Sequence, residues 1–262
     1  MKPTLYVESV GIAAPGLPDW PRSIAALAGA APYQPQPLEA YSPTLLPPNE
    51  RRRVTQVVRL AFRSSEDALA RSSIPAAALA TVFASSEGDT DVVHRINVAL
   101  AQSARSLSPT DFHNSVHNAP AGYWSIAVGS KQPSTSLAAF DGTFAAALNE
   151  AAALALGDGL DVLATTYDMA MTPALALKRP IPEPFASALV LTRQRTARTI
   201  AALSLAETQE PLTVIHDPAL EALRRCNPSA RALPLLRMLA RRASGTVHLP
   251  AGGSSLSVTV AA

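Results

Sequence analysis

The apolar positions along this chain change period repeatedly, and each change marks an element. Residues 5–12 (LYVESVGI) and 80–85 (ATVFAS) are short, apolar and β-branched, the pattern of buried strands. Pro15, Gly16, Pro18 and Pro21 end the first of them. Proline recurs through residues 31–48, which read as a long ordered loop over the surface. Asn49 then caps a predicted helix over residues 50–73. Val54, Val57, Val58, Ala61, Phe62, Ala68 and Leu69 fall there at helical spacing, and Ser73-Ile74-Pro75 stops it. A turn at residues 86–89 leads into a helix over 91–103 with Val92, Val93, Ile96 and Leu100 inward. Another helix is expected from Ala119 to near Gly129.

Residues 133–168, PSTSLAAFDGTFAAALNEAAALALGDGLDVLATTYD, carry the clearest signal. They read as a strand, a sharp turn, an Ala-rich helix over 142–156, a stop at Gly157-Asp158-Gly159 and a second strand. Residues 186–192 and 199–206 are further strands, and 218–225 and 234–243 are shorter helices. A closing hairpin is expected from 245–249 and 255–260 around Ala251-Gly252-Gly253. Strands alternating with helices predict an α/β fold with a largely parallel sheet and an antiparallel closing piece.

The chain has 262 residues, of which 48% are hydrophobic and 16% charged. A chain this long buries roughly 70–75% of its unfolded surface, so one compact unit with a large core is expected. The net charge of +2 leaves no nucleic-acid footprint. A single cysteine excludes an internal disulfide framework and fits a reducing, cytoplasmic setting. Beyond Lys2, the apolar residues at the start alternate with polar ones, so no secretory leader is expected. The longest apolar candidate, residues 145–156, is broken by Asn149 and Glu150, so no membrane span is expected. There is no P-loop, no GxGxxG after a strand, no GxSxG elbow and no CxxC pair. Nucleotide-dependent, serine-hydrolase and structural-zinc chemistry drop out as leading readings.

Several side chains are candidates for chemistry. Asp141 stands at the start of the Ala-rich helix, where a carboxylate caps free N–H groups. His113 and His117 are spaced i, i+4 like a metal pair, but no glutamate separates them and Asn118-Ala119-Pro120 interrupts the helix. They read as packing or hydrogen-bonding groups, and neither metal nor cofactor is expected. Arg51, Arg52, Arg53 and Arg59 form a basic helical face, with Arg224-Arg225 and Arg241-Arg242 as further basic pairs. Cys226 beside Arg224 and Arg225 is a candidate nucleophile of lowered pKa. Tyr123, Trp124, Phe140 and Phe144 are large groups expected around the sharp turn, as core or as a wall.

Three patches carry a family resemblance: PPNERRR at 47–53, SPTDFHNSVHNAPAGYWSIA at 108–127, and the strand–turn–helix unit with its following GDGLDVL. Over residues 5–192 they resemble the β-ketoacyl synthases of the thiolase-like superfamily. They are most like the short β-ketoacyl synthase chain length factors of aryl-polyene and related pathways. The resemblance implies a thiolase-like layered α/β fold, with a near-complete N-terminal half (1–192) and a truncated C-terminal half (193–262). It puts the family's nucleophilic cysteine at Asp141, or at Phe140 if the register slips by one, and no cysteine is near. The family's two catalytic histidines also lack counterparts, because His216 and His248 lie outside HGTGT-like or NxFGFGG-like loops. Losing one member of such a unit already removes most of the catalysis.

The implied function is therefore a non-catalytic, chain-length-factor-like subunit of a heterodimeric β-ketoacyl-[acyl carrier protein] synthase. A full-length β-ketoacyl synthase would be its partner and supply the Cys and His residues for decarboxylative condensation in polyene or fatty-acid-like biosynthesis. Phe140 and Phe144 would gate the acyl pocket. His113, Asn114, His117, Asn118 and Ser136 would lie at the dimer interface. Arg51, Arg52, Arg53 and Arg59 would dock an acidic acyl carrier protein. The alternatives are a stand-alone acyltransferase or hydrolase using Asp141 or Cys226, and a homodimeric module that binds acyl carrier protein.

Overall fold

The strands of the pattern form one sheet. The computed structural model describes residues 4–262, so Lys2, used above for the leader argument, lies outside the described residues. The strands are β1 (Leu5–Ala13), β2 (Ala80–Ala84), β3 (Ser134–Leu137), β4 (Val162–Asp168), β5 (Phe185–Thr192), β6 (Ala201–Thr208), β7 (Gly245–Pro250) and β8 (Ser255–Ala261). They lie side by side in the order β3-β2-β4-β5-β1-β6-β8-β7. Only β3, β2 and β4 are mutually parallel. Every other neighbouring pair is antiparallel, which corrects the largely parallel expectation. The physical reason lies after β4. The chain returns to β5 without a crossover helix, through a loop holding one short helical turn, α8 (Pro173–Ala176), and such a return makes antiparallel neighbours.

Strand residues alternate between two cores, as the period of two requires. Val82, Ala84, Val162, Ala164, Leu189 and Leu191 enter one, while Phe83, Leu163, Tyr167, Ala188 and Val190 enter the other. The first core is roofed by α7 (Thr143–Leu156), with α1 (Trp20–Ala28) and α10 (Leu233–Arg241) beside it. The second lies under α3 (Gln56–Leu69) and α6 (Ala119–Val128). The result is the layered helix–sheet–helix arrangement expected. Helix α3 lies so close on β1 that a Cβ at Gly11 would stand 1.9 Å from the Ser64 carbonyl oxygen. Strands β6, β8 and β7 extend the same sheet, with α9 (Pro218–Cys226) packed nearby, and the predicted hairpin is present.

Three local expectations need correction. The helix predicted over 50–73 is two helices, α2 (Pro48–Arg51) and α3. Thr55 recaps the chain between them, its hydroxyl accepting from the Val58 N–H at 3.5 Å, so side-chain capping outcompetes continuation of the helix. Helix α1 was not foreseen. Asp19 caps it by accepting from the Arg22 N–H at 3.0 Å, and Pro21 occupies its first turn, so a proline read as a terminator is a helix starter. In α4 (Thr90–Ala101) only Val92 is buried, and Val93, Val98 and Leu100 stand exposed. Among the described residues no helix is long and apolar enough to cross a membrane.

Candidate functional site

The predicted strand–turn–helix unit is present as β3, a tight 3₁₀ turn at Phe140–Gly142, and α7. Thr143 ties the turn together: its hydroxyl accepts from the Ala139 N–H at 3.1 Å and donates to the Phe140 carbonyl at 2.7 Å. The strain of the elbow sits on Phe140, whose φ is +53°, a region that bulky residues avoid unless their surroundings impose it. A Cβ at Gly142 would stand 3.1 Å from the Gly252 nitrogen, so the turn of the β7–β8 hairpin abuts the elbow. Between them runs a cleft of about 350 Å³ lined by Phe140, Asp141, Leu212, Gly252 and Gly253 among others.

Asp141 does not cap α7, which starts without a side-chain cap. Its carboxylate instead accepts from Arg179 at 2.8 Å and faces Arg231 at 3.8 Å. Arg179 also donates to Glu87 at 2.9 Å and lies 3.8 Å over the Phe140 ring. Burial pulls the Arg179 guanidinium down, but bonds to Asp141 and Glu87 outweigh it and hold its pKa above the ordinary value. Phe140 is 62% exposed, whereas Phe144 is packed in the core.

Beneath this cluster lies Asp168, fully buried at the end of β4. It accepts from the Ser85 hydroxyl at 2.8 Å, the Ser86 and Glu87 N–H groups at 2.9 and 3.3 Å, and the Ser229 hydroxyl at 2.7 Å. Burial pushes its carboxyl up to about 6, and the hydrogen bonds from Ser229, Ser85, Glu87 and Ser86 pull against that rise. Asp168 thereby fixes the loop that presents Glu87 to Arg179. Sequence reasoning missed Asp168, Arg179 and Arg231. A lone aspartate closing the otherwise uncharged strand VLATTYD was a usable signal for the first, whereas Arg179 and Arg231 sit in segments without a pattern.

The candidate interface residues separate. His113 is exposed and meets Tyr123 edge-on at 5.7 Å. His117 donates from Nε2 to the Ser85 carbonyl at 3.0 Å. Asn114 is buried and donates to the carbonyls of Arg53 and Thr110, each at 3.0 Å. Asn118 is exposed at the start of α6. The two histidines thus have different partners, and among the described residues no His, Cys, Asp and Glu group could hold a metal. Ser136 lies on β3, the edge of the sheet. The Thr81 N–H donates to Pro133 and the Ser85 N–H to Leu137, so the backbone groups of Ser134 and Ser136 alternate outward to the open edge. Val93, Val98 and Leu100 of α4, Phe112 in α5 (Pro109–Asn114), Val116, and Ile126 of α6 are all exposed.

The basic face is also divided. Arg51 donates to the carbonyls of Thr44 and Leu46, and Arg59 to those of Tyr41 and Arg51. Arg52 and Arg53 are exposed, Arg53 lying 3.7 Å from Glu50. Arg224 is buried against Glu221, while Arg225, Arg241 and Arg242 are exposed. Cys226 is exposed at the end of α9. Tyr123 and Trp124 are core residues, Trp124 packing edge-on against Phe62 at 5.0 Å. His248 lies on β7 with Nδ1 3.2 Å from the Pro211 carbonyl, and His216 is exposed.

The model of the β-ketoacyl synthase N-terminal domain matches residues 26–246. Among solved structures, one of a ketosynthase (ApeO) in complex with its chain length factor (ApeC) from Xenorhabdus doucetiae has a chain 24% identical, with a TM-score of 0.73, over 98% of this chain and 99% of that one. The ishigamide ketosynthase/chain length factor gives 12% identity and a TM-score of 0.74 over 98% of both chains. A type II PKS acyl-carrier protein in complex with its ketosynthase bound to the hexaketide (AntDE:AntF) gives 12% and 0.78 over the whole of both. No curated protein matches the sequence.

Proposed function

This chain belongs to the β-ketoacyl synthase family through its N-terminal domain, and on that premise we propose that it is a non-catalytic, chain-length-factor-like subunit. The observation that carries the proposal is the elbow. It presents Phe140 and Asp141 in place of a thiol, and the Asp141 carboxylate is engaged by Arg179 and Arg231. A carboxylate held between two guanidinium groups is a poor nucleophile towards a thioester. The partner is a full-length β-ketoacyl synthase that brings the cysteine and histidines, and the supported reaction is decarboxylative condensation of malonyl units in polyene or fatty-acid-like biosynthesis in the cytoplasm. Solved structures that share this fold over their whole length are described as ketosynthases with chain length factors, which supports the pairing. The open β3 edge around Ser136 and the exposed apolar side chains of α4, α5 and α6 supply the contact, with His113 and Asn118 on the same stretch and His117 and Asn114 behind it. Phe140 walls the acyl pocket where the two subunits meet. An acyl carrier protein docks on Arg52 and Arg53, whose guanidinium groups remain exposed, whereas Arg51 and Arg59 hold the local loops.

The test is reconstitution. The co-purified ketosynthase is assayed for condensation of malonyl-carrier with and without this chain, and products are sized by mass spectrometry. Condensation that requires the chain, with no acyl adduct on it, is the expected result. A covalent acyl adduct on Asp141 or Cys226 of the chain alone would sink the proposal in favour of an acyltransferase or hydrolase.

A further inference from the structure

Residues 171–181 form a strap whose two ends are fixed and whose middle is tied to the protein through Arg179. The Met171 N–H donates to the Ile181 carbonyl at 2.8 Å, closing the loop at its base, and Thr172 and Ile181 are buried there. Between them the chain rides over the surface, with Leu177 86% exposed. Across residues 173–180, Arg179 is the one side chain with hydrogen bonds or ion pairs to the rest of the protein among the described residues, and all of them reach the elbow or its supporting loop. They go to Asp141 at 2.8 Å, Glu87 at 2.9 Å and the Ser86 hydroxyl at 3.4 Å, with the guanidinium carbon over the Phe140 ring, 3.8 Å from its centroid. A guanidinium fixed by two carboxylates and stacked on a ring is held far more firmly than a free surface arginine. Glu87 is itself positioned by the backbone bonds that Ser86 and Glu87 make to buried Asp168.

We propose that residues 173–180 are a strap across this subunit's own elbow and that Arg179 is its latch, closing the elbow to an acyl thioester. The assignment of the excluded ligand rests on the function proposed above, whereas the latch itself stands on the geometry alone. Arg179 is a positioning and specificity-determining residue here. Its contacts account for the elbow being unreactive even at its strained position, and they send acyl groups to the partner's cysteine. Asp141 is then the anchor of the latch.

Two measurements test this on the full chain in whatever assembly it forms. The first is hydrogen exchange by mass spectrometry on wild type, Arg179→Ala and Asp141→Asn. Peptides covering 173–180 and 139–142 should exchange faster in both variants, by about tenfold for the loss of one such anchor. Peptides from β4 and β5 should not change. Unchanged exchange over the strap, or acceleration spread through β4 and β5, overturns the latch.

The second uses Phe140→Cys with Arg179 intact or replaced by alanine. The introduced thiolate attacks the thioester carbonyl of an acyl-pantetheine probe, a new C–S bond forms, and the pantetheine thiolate leaves and takes a proton from water. Iodoacetamide, small enough to pass, should label both backgrounds and so report the thiolate. The acyl-pantetheine probe should load only where Arg179 is alanine. Equal loading in both backgrounds overturns the exclusion while leaving the exchange result, and the choice of partner, to be judged separately.

Discussion

Asp168 is a fully buried carboxyl whose chemistry is displaced by the fold, and its displacement gives a pH signature. Its native pKa of about 6 stands above the ordinary 3.8, so between those values the native state keeps a proton that the unfolded chain has released. Its contribution to stability is therefore complete below about pH 4 and is lost as pH rises through 6. In Asp168→Asn that slope should vanish. Denaturant unfolding of both proteins from pH 4 to 8 should show their stability difference changing between pH 4 and 6 and flat above 7. A difference independent of pH would contradict the burial account. Gly11→Ala makes a second test at this scale. A methyl placed 1.9 Å from the Ser64 carbonyl forces α3 off β1, and the midpoint of unfolding should report a loss of about 3 kcal/mol or more. At the scale of residues the sequence was legible where chemistry is local: the fully buried Val82 and Leu189 follow from pattern alone. It was illegible where chemistry is assembled. Glu87, Asp141, Arg179 and Arg231 come from four separate segments, and nothing in the spacing of any one points to the others.

Strand β3 is the element on which the proposed association turns. Its backbone bonds to β2 leave Ser134 and Ser136 facing outward, and an open edge is a ready template for another chain. Ser136→Pro should leave the chain folded, within about 0.5 kcal/mol of wild type, because the lost N–H points away from β2. The same variant should fail to retain a partner in co-purification. Retention of a partner at wild-type level would exclude β3 from the interface. Helix α2 and the start of α3 divide the arginines in a testable way. Charge reversal at Arg52 and Arg53 should weaken carrier binding and flatten its salt dependence, measured by calorimetry at two ionic strengths. Arg59→Ala should instead lower thermal stability, since its guanidinium satisfies the Tyr41 and Arg51 carbonyls. The order and type of most elements were readable because each run of period two or 3.6 is long enough to declare itself. Helix α1 was hidden by Pro18 and Pro21, and the break before α3 by a single capping threonine. Sheet direction was hidden because no local pattern records which neighbour a strand will find.

For the whole molecule, family membership and a layered α/β fold agree with an elbow that lacks a thiol. Exposed Val93, Val98, Leu100, Phe112, Val116 and Ile126 are costly to leave in water on a monomer and fit a large permanent contact, of the class burying roughly 2,000 Å² or more. The central claim is that this chain works as one half of a catalytic pair. Native mass spectrometry of the tagged chain purified from its host, with sequencing of every bound protein, tests that claim most directly. The account predicts a one-to-one assembly with a ketosynthase that carries an intact cysteine and two catalytic histidines. Recovery of the chain alone, or only as a dimer of itself, would contradict it.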